Sequence, residues 1–399
     1  MKKKNSRVKV RHKIFLEILR YPVKLIFFIL LNYRCKKIKL KKDENVFVLS
    51  NHQTDYDPIL VSLAFNNPIY SVGTDTLFSN KFDSSLLNFL FAPIPKRKGT
   101  VDIKCIKDIL KTVKENGSVG IFAEGNRSYA EFQFHIDISM AKLIKSCKLP
   151  LILFNLHGGN GISPRFAHKL RKGKLTGNIK RRIEVNEYMN MSDEELLDII
   201  KKELIVYDSA SNQLFKSKKR AEYLERMLFV CPNCNKTQTL YSKNEYLYCN
   251  NCDLKVEFCE NLSLKSDNKG FKFNYLIDWY NYQKDFIKNN EFIDNQVIFT
   301  DENVKLYISH VNEPRKLIKE GKLTLTTNQL IFDDFKIDIK DIIIASPIGG
   351  RKFNFSTLEE SYFVIGDERF NPLKYVLMFN MLDTHMKGND KYFSLDWKI

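Results

Sequence analysis

The stretch of this sequence richest in large apolar side chains, residues 14–33 ("IFLEILRYPVKLIFFILLNY"), lacks the unbroken run that a membrane-crossing helix needs. Its longest uninterrupted apolar segment is residues 25–31, against the roughly 20 residues required to span a bilayer. No small-residue cleavage site follows it, so a cleaved signal peptide is not expected. Acidic residues are almost missing from residues 1–42, where Glu17 stands alone against fifteen Lys or Arg; that segment holds fourteen of the seventeen net positive charges. The eight cysteines lack the pattern of a disulfide framework: four fall into two Cys-x-x-Cys pairs, while Cys35, Cys105 and Cys147 are isolated. A reducing cytoplasm fits that usage. Internal repeats and low-complexity tracts are absent too, which leaves out repeat arrays and biased disordered segments.

What is present reads as folded protein. With 399 residues, 44% hydrophobic and 28% charged, the chain is too long for one ordinary core, and two or three domains are expected. The basic N-terminal end points to an anionic surface, either lipid headgroups or nucleic acid. Apolar residues interleaved with Arg20 and Lys24, and a proline bend at Pro22, favour lipid: residues 1–40 read as a basic amphipathic segment lying in the membrane interface. The alternative is a helix packed on the soluble core.

Residues 41–205 alternate short apolar strands ("NVFVLS", "PIYSVG", "FAPIPK", "SVGIFA", "LPLILFNL") with helical patterns ("DPILVSLAF", "IKCIKDILKTVKEN", "DISMAKLIKSC", "SDEELLDIIKKEL"). A Ser-x-x-Glu capping box, Ser192 to Glu195, opens the last helix. Such alternation predicts an α/β domain with a mostly parallel central sheet. Residues 206–262 are expected to form a helical linker, over the basic stretch "FKSKKRAEYLERMLF", and the cysteine cluster. A linker helix is predicted within 263–290. From residue 291 to 399, short β-like runs followed by "NPLKYVLMFNML" predict a small β-barrel or sandwich closed by one helix.

Two polar clusters interrupt the α/β pattern at strand ends, where such sheets place their sites. In "VFVLSNHQTDYDPILVSL" the turn carries His52 and Asp57. Asp57 can be a plain N-cap before Pro58, or it can orient His52 as a base, and the spacing alone does not choose. The second cluster is "GIFAEGNRS", with Glu124, Gly125, Asn126, Arg127 and Ser128 following a buried strand. Glycine there permits close backbone approach, and the Arg127 fork suits a phosphate. In isolation the pentapeptide also reads as an ordinary polar turn. Between and after these lie "IPKRKG", with Arg97 flanked by Lys96 and Lys98, and "LPLILFNLHGG".

Taken in order, "NHQTDYD", "IPKRKG", "EGNRS" and "LPLILFNLHGG" resemble the four motifs of the PlsC-type glycerolipid acyltransferases, best known as 1-acylglycerol-3-phosphate acyltransferases. The resemblance covers roughly residues 20–205 and departs from the family's usual Glu-Gly-Thr-Arg-Ser at Asn126. It implies that His52, held by Asp57, takes the proton of an acceptor hydroxyl as that oxygen attacks an acyl thioester. It also implies that Glu124, Gly125, Asn126, Arg127 and Ser128, with Arg97, bind the acceptor and its phosphate. No catalytic metal is implied, and the acyl donor is acyl-CoA or acyl carrier protein.

The paired cysteines, Cys231-x-x-Cys234 and Cys249-x-x-Cys252, flank a short hairpin, "TQTLYSKNEYLY". Four thiolates so spaced predict a ribbon around one structural Zn²⁺; the alternative is a redox pair. Cys259 is spare. Few basic or stacking residues mark the hairpin, so no nucleic-acid partner is assigned to it. The C-terminal segment resembles GRAM and pleckstrin-homology-like domains, which implies lipid-headgroup or protein contact; a plain structural β-domain is the alternative. The combined expectation is a peripheral, monotopic acyltransferase on the cytoplasmic face of the cell membrane, acting on a lysophospholipid. Its rival is a membrane-tethered zinc-ribbon adaptor that binds lipid or nucleic acid without turnover. Acceptor identity, acyl length and oligomeric state are not fixed by the sequence.

Overall fold

The computed structural model describes residues 6–74, 89–96, 102–129, 131–309 and 315–387. The chain gathers into two units, Met1–Ser163 with Lys172–Gln213, and Pro164–Arg171 with Leu214–Ile399.

In the first unit, the basic N-terminal segment forms one helix, α1 (Val10–Leu31), which runs through Pro22 instead of ending in the expected proline bend. Pro22 sits on the exposed side, where water can satisfy the carbonyl that loses its N–H partner. Leu16, Arg20, Phe27 and Leu31 are buried, so one stripe of α1 packs on the core. The opposite stripe leaves Ile18, Tyr21, Leu25, Ile26, Phe28 and Ile29 exposed. The core-facing stripe is the packed helix of the alternative reading, and the other stripe remains exposed.

The sheet of this unit comprises β1 (Tyr33–Cys35), β2 (Phe47–Ser50), β3 (Ile69–Thr74), β4 (Ile94–Lys96), β5 (Ser118–Phe122), β6 (Leu151–His157) and β7 (Leu175–Ile183). Their order is β1-β7-β6-β2-β5-β3-β4, with every neighbouring pair parallel except β6 and β7. Phe47, Val48, Leu49 and Leu151 to Phe154 are all but inaccessible, as strands covered on both faces must be. The connecting helices are α2 (Asp57–Ala64), α3 (Ile103–Lys114), α4 (Ser139–Cys147) and α5 (Asp193–Leu204). Both bonds of the Ser192–Glu195 capping box are made at the start of α5.

Buried Arg20 of α1 donates to the carbonyls of Leu63 and Phe65, each at 2.6 Å. These are carbonyls at the end of α2, so a cation from α1 completes a helix C-terminus.

The second unit begins without the helix expected over the basic stretch. Only a 3₁₀ turn, Leu224–Arg226, forms there, preceded by Tyr223 at φ 71°. Its arginines bond sideways instead of lining a helix: Arg220 donates to Phe258 O and Arg226 donates to Phe166 O. An antiparallel sheet follows, of β8 (Leu240–Lys243), β9 (Tyr246–Cys249), β10 (Lys255–Phe258) and β11 (Leu264–Lys265). Helix α6 (Leu276–Lys288) pins the entry to it. Trp279 Nε1 donates to Val230 O at 2.9 Å, and the Gln283 amide accepts from Phe229 N and donates to Met227 O.

The remaining strands are β12 (Val297–Ile308), β13 (Lys316–Thr326), β14 (Gln329–Phe332), β15 (Phe335–Asp338), β16 (Ile344–Ile348), β17 (Lys352–Ser356) and β18 (Ser361–Ile365). They form one antiparallel sheet in the order β15-β14-β13-β12-β18-β17-β16, and α7 (Pro372–Lys387) follows. Two predicted runs merge into β12, which is bulged at three points along its pairing with β13.

Candidate active site and cysteine cluster

Strand β2 ends at Ser50, and Asn51 fixes what comes next. Its buried amide donates to Leu156 O at 2.9 Å and accepts from Leu156 N at 2.8 Å, tying the end of β2 to β6. The following turn presents His52 with its side chain 20% exposed.

Asp57 is not the N-cap that its position before Pro58 predicted. Tyr56 takes that place without a side-chain bond, and Asp57 is the first residue of α2. Its carboxylate turns back into the loop. Oδ2 accepts from His52 Nδ1 at 2.9 Å, from Gln53 N at 2.6 Å and from Thr54 N at 2.8 Å. Oδ1 accepts from Thr54 Oγ1 at 2.5 Å. Fully buried, Asp57 holds the turn and fixes the tautomer that leaves His52 Nε2 able to take a proton. The Phe122 ring lies 4.6 Å from the imidazole, centroid to centroid, and limits its rotation.

The second motif wraps the same loop. Ser128 N donates to His52 O at 2.9 Å, a backbone bond that ties the turn after β5 directly to the histidine. Gly125 adopts φ 63°, where a side chain is strained, and is exposed; Asn126 and Arg127 are half-buried, and Ser128 is buried. Arg127 acts as a clamp: Nε donates to Gln53 O at 2.6 Å, one terminal nitrogen to Asp55 Oδ2 at 2.9 Å, and the other to Ser163 Oγ at 2.9 Å. Asp55 is 79% exposed, so that arm faces the solvent side of the loop.

Glu124 lies inside the site. Its carboxyl accepts from Phe134 N at 2.9 Å and from the backbone N–H of His52. Burial pushes it up to about 8; those two N–H groups pull the other way, and the Asp57 charge adds to the upward shift. A largely protonated carboxyl at neutral pH can hold backbone without placing a second negative charge beside Asp57. Arg97 lies outside the described residues.

Three contributors, Asp208, Glu131 and Asn160, had no signal in the sequence. Asp208 accepts from Gly158 N at 2.6 Å and Asn160 N at 3.0 Å, while Asn160 Oδ1 accepts from Ser128 Oγ at 2.6 Å. Gln53 Oε1 accepts from Gly159 N at 2.9 Å, an approach that a side chain at Gly159 would block, since its Cβ would come within 2.6 Å of Gln53. Burial, then the neighbouring Glu131, pushes Asp208 up to about 7, and Glu131 is itself raised by burial. His52, Glu124, Glu131 and Asn160 border a polar cavity of about 20 Å³, room for one water.

In the second unit, Cys231, Cys234, Cys249 and Cys252 converge, all four sulfurs lying within 4.8 Å of one another. Cys231 and Cys252 are 3.7 Å apart at Sγ, and Cys234 and Cys249 3.8 Å. These separations are far beyond a disulfide bond of about 2.05 Å. A tetrahedral zinc with Zn–S distances of about 2.3 Å requires sulfur separations of about 3.8 Å, so the residues present fit that ion.

Residues 34–153, all within the first unit, match the family model described as Acyltransferase. Among solved structures, the chain is similar to the 1-acyl-sn-glycerophosphate (LPA) acyltransferase PlsC from Thermotoga maritima, at 18% identity and a TM-score of 0.40, over 48% of this chain and 77% of that one. A chain of the 8S snRNP assembly intermediate matches at 12% identity and a TM-score of 0.19, over 24% of this chain and 87% of that one. None of the curated proteins matches.

Proposed function

We propose that the protein is an O-acyltransferase moving a fatty acyl group from a thioester to the hydroxyl of a lysophospholipid, with 1-acylglycerol-3-phosphate giving phosphatidate as the leading reaction. The observation that carries this reading is the 2.9 Å contact from His52 Nδ1 to a fully buried Asp57, inside the stretch matching the acyltransferase family. His52 Nε2 takes the hydroxyl proton as the oxygen attacks the thioester carbonyl. The carbon–sulfur bond then breaks, the ester remains, and the proton passes to the departing thiolate. Such a base typically contributes about 10²- to 10⁴-fold. The donor is acyl-CoA or acyl carrier protein.

Gly125, Asn126 and Arg127, with Arg97, are proposed to receive the acceptor's phosphate, Arg127 exchanging its Asp55 partner for a phosphate oxygen. Glu124 and Ser128 support this turn from inside. Acyl transfer by the full chain in detergent, with both donors against a panel of lyso-acceptors, tests the reading. His52→Ala should lose about 10²- to 10⁴-fold in turnover while remaining folded. Near-normal turnover by that variant would refute the mechanism. A lipid-binding adaptor without turnover has no use for an oriented base, which favours the enzyme.

The cysteine cluster is assigned to one structural Zn²⁺. We read the C-terminal region as a GRAM or pleckstrin-homology-like domain with lipid-headgroup or protein contact as its role, a reading supported by its antiparallel sheet followed by one helix. The exposed apolar stripe of α1 supports peripheral membrane association on the cytoplasmic face; no helix among the described residues is long and apolar enough to cross a membrane. Ile18→Glu with Ile29→Glu should release the full chain from anionic vesicles without lowering Tm. Retention on vesicles would move the membrane contact elsewhere.

A further inference from the structure

A groove of about 780 Å³ opens between the C-terminal half of α1 and the β1–β7 edge of the sheet. Its walls combine two chemistries. Leu25 and Phe28 of α1 and Ile179 of β7 supply apolar surface, while Lys24, Arg34 and Lys36 supply three cations. Among the described residues, none that lines the groove is acidic.

The cations lack carboxylate partners among the described residues. Lys24 Nζ reaches only the Cys35 carbonyl, at 3.4 Å, and Arg34 Nε donates to Asn32 Oδ1 at 3.1 Å while its guanidinium carbon stands 5.6 Å from the Phe28 ring centroid. Burial pushes the half-buried Lys24 ammonium down, with Arg20 and Lys37 acting in the same direction and Cys35 against it. A partly desolvated cation that shares a groove lining with two further cations is stabilised by an anion. The apolar walls continue onto the exposed stripe of α1, since Leu25 and Phe28 belong to both. An occupant therefore has an anionic head for the three cations and an apolar chain for the walls, and the volume is that of an ordinary small-molecule site.

We propose that this groove binds one anionic phospholipid, its phosphate held by Lys24, Arg34 and Lys36 and an acyl chain against Leu25, Phe28 and Ile179. The site goes beyond the proposed acyl transfer and does not depend on it. Cys35 lines the same groove and provides a reporter.

The test measures alkylation of Cys35 in the full chain by peptide-resolved mass spectrometry, using dihexanoyl phosphatidylglycerol below its micelle concentration. Saturating lipid should slow Cys35 modification at least about fivefold, and native mass spectrometry should find one lipid per chain. Dihexanoyl phosphatidylcholine should need about tenfold more lipid for equal protection, because it carries no net charge for the cations to meet. Protection, taken as the ratio with and without lipid, should be lost in Lys24→Gln/Arg34→Gln/Lys36→Gln and, independently, in Ile179→Trp. His52→Ala should keep it, which separates this result from the fate of the acyltransferase reading. Equal protection by both lipids, or protection surviving in the triple-Gln protein, overturns the proposal. Equal protection by inorganic phosphate alone would reduce the groove to an ion site, and equal protection by hexanoyl-CoA would assign it to an acyl donor; either result overturns it as well.

Discussion

Replacing Asp57 by Asn separates orientation from charge in the dyad. Three donors converge on Oδ2, two of them backbone N–H groups that cannot turn away, whereas Oδ1 meets only the Thr54 hydroxyl. In Asp57→Asn the new amide oxygen is therefore forced into the Oδ2 position, and its NH₂ meets a hydroxyl able to accept. His52 keeps its tautomer and loses only the negative charge that stabilises the imidazolium. A hydrogen bond to a charged group contributes about 1.5–3 kcal/mol and a neutral one about 0.5–1.5 kcal/mol. The difference, about 1–1.5 kcal/mol, corresponds to a fall in kcat of about 5- to 15-fold. Asp57→Ala differs in kind: it orphans the buried Gln53 and Thr54 N–H groups, at about 1–3 kcal/mol each, and should lower Tm by at least about 4 °C. Steady-state acyl transfer with scanning calorimetry on the same preparations checks both variants. If Asp57→Asn is as inactive as His52→Ala at unchanged Tm, Asp57 does more than orient and stabilise, and the reasoning fails.

Arg127→Lys should lower kcat as well as raise the acceptor KM, because a lysine cannot reach Gln53 O, Asp55 and Ser163 together; a change in donor KM alone would contradict both roles. Glu124 is raised from its ordinary 4.5 to about 8, so the stability it contributes is complete below about pH 4.5 and is lost as pH rises through 8. Thermal melts from pH 6 to 9 should show Tm falling toward pH 9, with a shallower fall in Glu124→Gln; Asp208, raised to about 7, and Glu131, raised by burial, contribute to the part that remains. Metal analysis of protein purified without added zinc should find one zinc per chain. Chelation should open residues 231–252 to protease while the first unit stays resistant, and a metal-free cluster containing two disulfides would contradict the assignment.

The local part of the candidate site was legible in the sequence because its partners are close in the chain. His52, Gln53, Thr54 and Asp57 satisfy one another within six residues, and a strand-to-helix turn brings them together whatever the rest of the sheet does. Glu124 was legible as a motif residue but not as a buried acid, since its burial depends on Phe134 and on the His52 loop. Asp208, Glu131 and Asn160 carried no signal, because each acts on backbone or side chains that only the completed fold brings near. Strand β7 escaped notice for a different reason: Lys180, Arg181 and Arg182 hide its alternation, and pairing with β1 and β6 compensates for a weak pattern. The helix expected over residues 215–229 failed because Arg220 and Arg226 find better partners across the fold than along a helix.

The pairing of β1 with β7 has a consequence for synthesis. Tyr33 aligns with Leu175, so the edge strand that follows α1 waits for a partner made some 140 residues later. At about 5–20 residues per second, that delay is roughly 7–30 s. For most of it, the outer apolar stripe of α1 is uncovered outside the ribosome, and the sheet edge beside which it will lie does not yet exist. A bilayer or chaperone within reach meets the helix first, so the order of translation, and not only the final packing, governs what α1 encounters.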